Sequence, residues 1–162
     1  MIRALTLLTL LGLTLGSLAQ AGGGEAPTRP APAFSLTELD GKRLSLTDLQ
    51  GQAVILQFGD VACAPCREND RLLRLYQFEY LSHGLVVLSL YGAATPAQLR
   101  RYDAQFTFGT LVAPDPDGTV ARRYQVRGLP TTIFIDRDGV IQDVRRGQLT
   151  EEQLLHSLQR IL

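Results

Sequence analysis

The pattern of apolar and polar positions along the chain predicts several β-strands. Apolar and polar residues alternate on both sides of Asp40-Gly41, a dipeptide typical of tight turns, which predicts a β-hairpin near the start of the domain. Two later runs are almost wholly apolar, as expected for strands covered on both faces of a sheet. The hairpin strands are Phe34–Leu36 and Leu44–Leu46, the apolar runs are Ala53–Phe58 and Leu85–Leu90, a short strand lies near Thr110–Val112, and a closing hairpin joins Thr131–Asp136 to Val140–Arg145.

Helical periodicity and capping residues predict what lies between these strands. A long helix is expected from Cys63 to Ser82, one or two helical turns from Gly118 to Tyr124, and a helix from Pro96 to about Phe106. The last helix begins after Thr150, which, like Thr95, is followed three residues later by glutamine and so predicts a capping box. The side chains expected to face the core are Leu72, Leu73, Leu75, Tyr76 and Leu81 in the long helix and Leu154, Leu155, Leu158 and Ile161 in the last one. This order of strands and helices predicts an α/β fold in which helices cover a mixed sheet.

The first twenty-one residues differ from the rest of the chain. A basic residue, Arg3, precedes an uncharged apolar run, and Ala19-Gln20-Ala21 fits the small-x-small pattern of a signal-peptide cleavage site. The length of residues 4–21 also fits a retained membrane anchor, so both alternatives stay open. Either one places the protein outside the cytoplasm, where disulfides persist. Residues 22–33 are rich in Gly and Pro and are interpreted as a linker, which leaves residues 34–162 as the folded domain.

Composition and charge indicate the size of the fold and argue against nucleic-acid binding. The chain has 162 residues, of which 45% are hydrophobic, so one globular domain is expected. Sixteen basic residues balance sixteen acidic ones, which leaves no basic surplus for binding nucleic acid. Membrane contact is expected only through an uncleaved N-terminal segment.

Two cysteines carry the candidate chemistry. Cys63-Ala64-Pro65-Cys66 lies where the first buried strand leads into the long helix, and a helix N-terminus stabilises a thiolate through its free N–H groups and its dipole. Cys63 is therefore the expected nucleophile, and Cys66 is expected to attack the Cys63 sulfur and release a reduced substrate. Pro65 removes one N–H group and stiffens the turn.

Three roles other than redox exchange would use the same cysteine pair: a structural disulfide, a zinc site and a copper(I) site. A purely structural disulfide would close a loop too short to constrain the unfolded chain much. A zinc site lacks ligands, because only His83 and His156 could join the cysteines and neither has ligand-like spacing. Copper(I) is the more serious alternative, since two soft thiolates outside the cytoplasm suit this ion. A copper(I) chaperone therefore remains the second hypothesis.

The chain resembles the extracytoplasmic thioredoxin-like thiol-disulfide oxidoreductases of the TlpA/ResA type. The resemblance spans about residues 34–162 and rests on an ordered set of motifs: Phe34-x-Leu36, Asp40-Gly41-Lys42, Leu46-x-Asp48-Leu49-x-Gly51, Cys63-x-Pro65-Cys66, Gly128-Leu129-Pro130-Thr131-Thr132, Ile135-Asp136-Arg137-Asp138-Gly139 and Gly147. It implies a thioredoxin-like fold, with a central mixed sheet flanked by helices and an extra N-terminal β-hairpin. It further implies a cis peptide bond before Pro130, packing of Pro130 against the cysteines, and client contacts at Leu129 and Pro65.

The same resemblance implies the function. The Cys63–Cys66 disulfide would exchange electrons with client-protein disulfides or thiols. The redox group would be the disulfide itself, and neither a cofactor nor a metal is expected. The protein would act as a reductant in cytochrome c maturation or related metal-site assembly, and an upstream membrane electron donor would reduce it.

Four departures from the family pattern bear on the site. The chain has no tryptophan, so fewer apolar side chains are expected around the sulfurs than in the family. Asp60 adds an acid whose negative charge would oppose a Cys63 thiolate. Arg71 replaces a common proline, and Asn69 replaces a common acid. Gln57 stands where thioredoxins carry a buried aspartate, and an amide cannot accept the Cys66 proton. Activation of Cys66 would then depend on water or on a nearby acid such as Glu68.

Overall fold

The computed structural model describes residues 28–107 and 109–162. The N-terminal segment interpreted as a signal peptide or anchor lies outside these residues. The strands are β1 (Arg29–Pro30), β2 (Ser35–Thr37), β3 (Arg43–Ser45), β4 (Ala53–Gly59), β5 (Leu85–Tyr91), β6 (Leu111–Pro114), β7 (Thr131–Ile135) and β8 (Val140–Arg146). The helices are α1 (Ala64–Tyr80), α2 (Pro96–Asp103), α3 (Thr119–Arg123) and α4 (Glu151–Leu158), with short 3-10 turns at Leu46–Leu49 and Leu81–His83.

The larger sheet contains both parallel and antiparallel strand pairs. Its strand order is β1-β8-β7-β4-β5-β6, with β4, β5 and β6 parallel to one another and β7 antiparallel to β4. Every residue of β4 is buried, as its nearly continuous apolar sequence predicts. The central strands therefore lie between two apolar layers, one against α1 and α4 and the other against the N-terminal hairpin and α3. The predicted mixed sheet covered by helices is confirmed.

The predicted N-terminal hairpin forms a separate two-stranded sheet. β2 and β3 pair antiparallel, and their inward residues Leu36 and Leu44 are buried in the core. Phe34, just before β2, packs its ring 6.4 Å from that of Tyr124. The hairpin thus covers one face of the main sheet.

The linker predicted over residues 22–33 is too long at its C-terminal end. Arg29–Pro30 form β1, which pairs with Ile141 and Val140 of β8. The Tyr124 hydroxyl donates a hydrogen bond of 2.7 Å to the Pro32 carbonyl. Backbone and side-chain hydrogen bonds dock this stretch on the domain, which a search for hydrophobic periodicity cannot detect.

The inward face of α1 also differs from the prediction. Leu73 and Tyr76 are buried as expected, but Leu75 and Leu81 are 48% and 61% exposed. The face that meets the sheet begins at Cys66 and continues through Asn69 and Asp70, three and four residues later. Because two of these inward positions are polar, a prediction from the leucines alone extends the inward face too far, to Leu75 and Leu81. Leu155 of α4 is likewise 37% exposed, and α2 ends at Asp103 rather than near Phe106.

Both predicted capping boxes are present. The hydroxyls of Thr95 and Thr150 accept from the backbone N–H groups of Gln98 and Gln153, whose side chains accept in return from the threonine N–H groups. In the described part of the chain, no helix has the length and apolar composition needed to cross a bilayer.

Candidate active site

The two cysteines lie at the junction between β4 and α1. Cys63 is the N-cap residue of α1, and its sulfur accepts a hydrogen bond of 3.2 Å from the Cys66 backbone N–H. The two side chains are joined in a disulfide, with the Cα atoms 5.2 Å apart. Pro65 lies within the first helical turn, where its missing N–H group costs no intrahelical bond.

The two sulfurs differ in their access to solvent. Cys66 is completely buried, whereas Cys63 is partly exposed and is followed by the exposed residues Ala64 and Pro65. An external disulfide can therefore reach Cys63 and not Cys66. This asymmetry matches the roles predicted for the two cysteines.

The Leu129–Pro130 turn lies at the same edge of the sheet. The peptide bond before Pro130 is cis, as the resemblance implies. Phe58 of β4 pairs with Thr131 of β7, so one further step of this register places Pro130 opposite Gly59. A Cβ atom built on Gly59 would lie 3.3 Å from the Cβ of Cys66, so the proline turn reaches the edge of the sheet at which the cysteine pair lies, and packing of Pro130 against the cysteines stays a prediction. Pro130 is buried and Leu129 is 49% exposed, so Leu129 is open to a client.

Asp60 and Glu68 lie near the cysteines in sequence, and each has partners of its own. The Asp60 carboxylate accepts a hydrogen bond of 2.8 Å from the Ala62 N–H, and the Asp60 carbonyl accepts one of 3.1 Å from the Cys63 N–H. Asp60 therefore shapes the turn before α1. Glu68 is exposed and forms an ion pair with Arg71, so it does not point towards the buried sulfur.

Asn69 joins α1 to the loop after β8. Its side chain is fully buried, accepts a hydrogen bond of 2.8 Å from the Leu149 N–H and donates one of 3.3 Å to the Gly147 carbonyl. The position at which the family commonly carries an acid thus holds a structural amide in this chain.

Gln57 lies in a buried polar row across the sheet. Its side-chain oxygen accepts a hydrogen bond of 2.7 Å from the Thr132 hydroxyl, and its amide nitrogen has no protein partner. On the other side Gln57 pairs in register with Ser89 of β5. It lies two residues before Gly59 and so on the same face of β4, the face that meets Cys66.

A buried acid that the sequence did not predict lies beside this row. Asp70 is 1% exposed and accepts hydrogen bonds from the hydroxyls of Tyr91 and Tyr102. Burial raises the pKa of the Asp70 carboxyl, while the hydrogen bonds from both tyrosines and the charge of Arg74 oppose this rise. The signal that could have revealed Asp70 is its spacing, because residues four apart on a helix share one face.

Comparison with known proteins assigns the chain to a family. The sequence model of the AhpC/TSA family matches residues 27–144. The chain belongs to the AhpC/TSA family. It is 33% identical over 134 residues to the thiol-disulfide oxidoreductase ResA of Bacillus thuringiensis subsp. konkukian (strain 97-27), covering 82% of this chain and 77% of the relative.

Solved structures of similar proteins share the fold. A protein described as a thiol:disulfide interchange protein DsbE, from Chlorobium tepidum, matches with a TM-score of 0.74 at 30% identity, covering 83% of this chain and 99% of that one. A second thiol:disulfide interchange protein of the thioredoxin family, from Chlorobium tepidum TLS, matches with a TM-score of 0.75 at 23% identity, covering 85% of this chain and 99% of that one. The thioredoxin-like fold and the resemblance to the TlpA/ResA type are confirmed, and this AhpC/TSA family member is a thiol-disulfide oxidoreductase.

The geometry explains how this AhpC/TSA family member performs disulfide exchange. A partly exposed sulfur at the positive end of a helix can attack an external disulfide, and a buried sulfur one helical turn further on can displace the product. In the described residues, no group of three or more His, Cys, Asp and Glu side chains lies close enough together to hold a metal ion.

Gly59 is expected to be intolerant of a side chain because it contacts Cys66. A Cβ atom there would lie 3.3 Å from the Cys66 Cβ, 3.6 Å from Cε1 of Tyr91 and 3.7 Å from the Cys66 sulfur. We expect Gly59→Ala to lower the free energy of unfolding by about 1–2 kcal/mol through overpacking, measured by urea denaturation of the oxidised protein. Gly92→Ala is the control, since its Cβ would meet only the Asp115 carbonyl at an ordinary 3.8 Å. Equal stability of the two variants would contradict the tight contact.

Proposed function

We propose that this protein is an extracytoplasmic reductant of disulfides in client proteins. The observation that carries the proposal is the unequal exposure of the cysteine pair, with Cys63 accessible at the start of α1 and Cys66 buried. Cys63 attacks the client disulfide to form a mixed disulfide, and Cys66 then attacks Cys63 and releases the reduced client. The identity to proteins named thiol-disulfide oxidoreductase ResA supports the same cycle.

The proposed clients are proteins in cytochrome c maturation or in related metal-site assembly. The resemblance to TlpA/ResA-type proteins suggests this client class. The exposed residue Leu129 offers a site at which an extended client segment can bind as an added strand. Residues 1–21 would direct the domain out of the cytoplasm, where a membrane electron donor would reduce the Cys63–Cys66 disulfide again.

The reduction potential tests the direction of electron flow. Dithiol proteins with this cysteine spacing range from about −270 mV for thioredoxin to about −120 mV for the oxidant DsbA. A reductant is expected nearer the thioredoxin value, below about −220 mV, when the purified protein is equilibrated with glutathione or dithiothreitol buffers. A value close to that of DsbA would show that the protein oxidises its clients instead.

A copper(I) titration, run beside an insulin-reduction assay, tests the alternative of a copper chaperone. The proposed reductant is expected to reduce insulin disulfides in the presence of dithiothreitol. Tight binding of one copper(I) ion per chain without insulin reduction would replace the proposal with the chaperone hypothesis.

A further inference from the structure

A buried acid lies one helical turn beyond the resolving cysteine. Asp70 follows Cys66 by four residues on α1, and both side chains are buried on the face that meets the sheet. Residues at this spacing have Cβ atoms about 5–6 Å apart. Asp70 is thus the acid of α1 that shares the buried face of the helix with Cys66, whereas Glu68 and Glu79 are exposed.

Three hydroxyl groups hold the Asp70 carboxylate in place. The hydroxyls of Tyr91 and Tyr102 donate to the same oxygen, Oδ2, at 2.8 and 2.6 Å. Among the described residues, the other oxygen, Oδ1, has only a long contact of 3.5 Å from the Ser89 hydroxyl. Oδ1 therefore keeps lone pairs that can accept a proton.

Tyr91 links the acid to the cysteine site. Its ring carbon Cε1 and the Cys66 sulfur lie 3.6 and 3.7 Å from the same point, the Cβ position of Gly59. The hydroxyl on that ring binds Asp70. Tyr91 and Cys66 are both fully buried, so bulk water has no direct access to the Cys66 thiol and a buried protein group is the better placed acceptor of its proton.

The other polar groups near Cys66 are less suited to accept that proton than Asp70. Gln57 is a neutral amide, and the Asn69 amide is occupied by the Leu149 N–H and the Gly147 carbonyl. Glu68 is exposed and paired with Arg71, while the Asp60 carboxylate binds the Ala62 N–H.

We propose that Asp70 accepts the Cys66 proton during resolution of the mixed disulfide. In this step Cys66 Sγ bonds to Cys63 Sγ, and the bond between Cys63 and the client sulfur breaks. The client sulfur leaves with that electron pair as a thiolate, and the Cys66 proton moves to the Asp70 carboxylate. The cysteine pair loses two electrons and the client gains them. The inference rests on the disulfide-exchange cycle and holds whichever protein the client is.

The surroundings of Asp70 make the step dependent on pH. The titratable and charged groups around it are Tyr91 on β5, Tyr102 on α2 and, on α1 itself, Arg67 and Arg74, the latter paired with Asp103. Burial raises the pKa of Asp70, and burial together with the Asp70 charge raises the pKa of both tyrosines, so these donate and do not ionise. Asp70 accepts a proton above its own pKa and not below it, so resolution should slow as pH falls through that raised pKa.

A single-turnover reaction separates this step from the first attack. Reduced protein is mixed with an equimolar amount of the aromatic disulfide dithiobis(nitrobenzoate), and release of coloured thionitrobenzoate is followed from pH 5 to pH 9. The first equivalent reports attack by Cys63, and the second reports resolution by Cys66. We expect Asp70→Asn to slow the second phase about a hundredfold near neutral pH, with little change in the first. Its rate should then rise tenfold per pH unit up to the pKa of the Cys66 thiol.

Control variants distinguish proton transfer from a general loss of charge or structure. Glu79→Gln removes an acid from the exposed side of the same helix and should leave both phases unchanged. Tyr102→Phe removes one hydrogen bond that lowers the Asp70 pKa, so it should shift the pH profile of the second phase to higher pH. This variant also tests the inference if Asp70→Asn does not fold.

Three results would overturn the inference. A wild-type rate and pH profile for the second phase in folded Asp70→Asn, or an unshifted profile in Tyr102→Phe, would exclude Asp70 as the acceptor. An equal loss in Glu68→Gln would assign the role to Glu68 instead. A missing first phase in the wild-type protein would count against disulfide exchange itself, which is a separate failure.

Discussion

A Cys66→Ser variant is expected to accumulate as a mixed disulfide with proteins that contain disulfides. Cys63 is partly exposed at the start of α1 and can attack, but the buried serine hydroxyl cannot displace the client from its sulfur. Reduced Cys66→Ser mixed with insulin should therefore show a covalent adduct on a non-reducing gel, stable over hours and removed by dithiothreitol. The wild-type protein should show almost none, because Cys66 resolves the adduct.

The reciprocal variant is the matched control for this trapping experiment. Cys63→Ser keeps one thiol, Cys66, at the same site, but that sulfur is completely buried. We expect no adduct with insulin under the same conditions. Equal trapping by both single variants would contradict the assignment of Cys63 as the attacking residue.

Asn69→Ala is expected to cost the oxidised protein about 2–3 kcal/mol of unfolding free energy. The substitution leaves the buried Leu149 N–H without its acceptor and the Gly147 carbonyl without its donor. Unpaired buried groups carry most of this cost, because water cannot replace the lost amide. Urea denaturation monitored by circular dichroism measures the change.

Gln105→Ala is a suitable control for this loss of stability. Gln105 also donates a side-chain hydrogen bond, of 3.3 Å to the Arg101 carbonyl, but it lies on the exposed surface. Its removal should change the free energy of unfolding by less than about 0.5 kcal/mol. If Asn69→Ala lowered the free energy of unfolding no more than Gln105→Ala does, the Asn69 hydrogen bonds that join α1 to the loop after β8 would not contribute to stability.

Continuous apolar runs made the central strands easy to predict. β4 and β5 lie within one residue of their predicted ends, because strands buried on both faces have apolar side chains throughout. The position of the cysteine pair was equally easy to predict, since its spacing and its place at a strand-to-helix junction are local features of the sequence. The exposure of the two sulfurs follows directly from that junction.

The buried polar groups could not be predicted in the same way. Asn69 and Asp70 are adjacent polar residues in a helix, a pattern that ordinarily indicates a solvent-exposed face. Their partners are far away in sequence, Leu149 for the amide and Tyr91 and Tyr102 for the acid. The sequence alone shows that Asn69 replaces the family's acid, but only the tertiary structure shows that this amide is buried in structural hydrogen bonds and that Asp70 beside it is a buried acid.

The N-terminal segment from Arg29 to Ser45 has a consequence for self-association. An uncovered edge strand presents free N–H and C=O groups that can pair with another molecule. On one side β1 lies along β8, and the Ala31 N–H donates to the Gly139 carbonyl at 2.8 Å. On the opposite side the Leu39 N–H binds the Val112 carbonyl of β6 at 3.1 Å. Residues 29–45 thus cover the sheet edges at both β8 and β6. A domain truncated to begin at Leu46 should therefore tend to aggregate through these two edges.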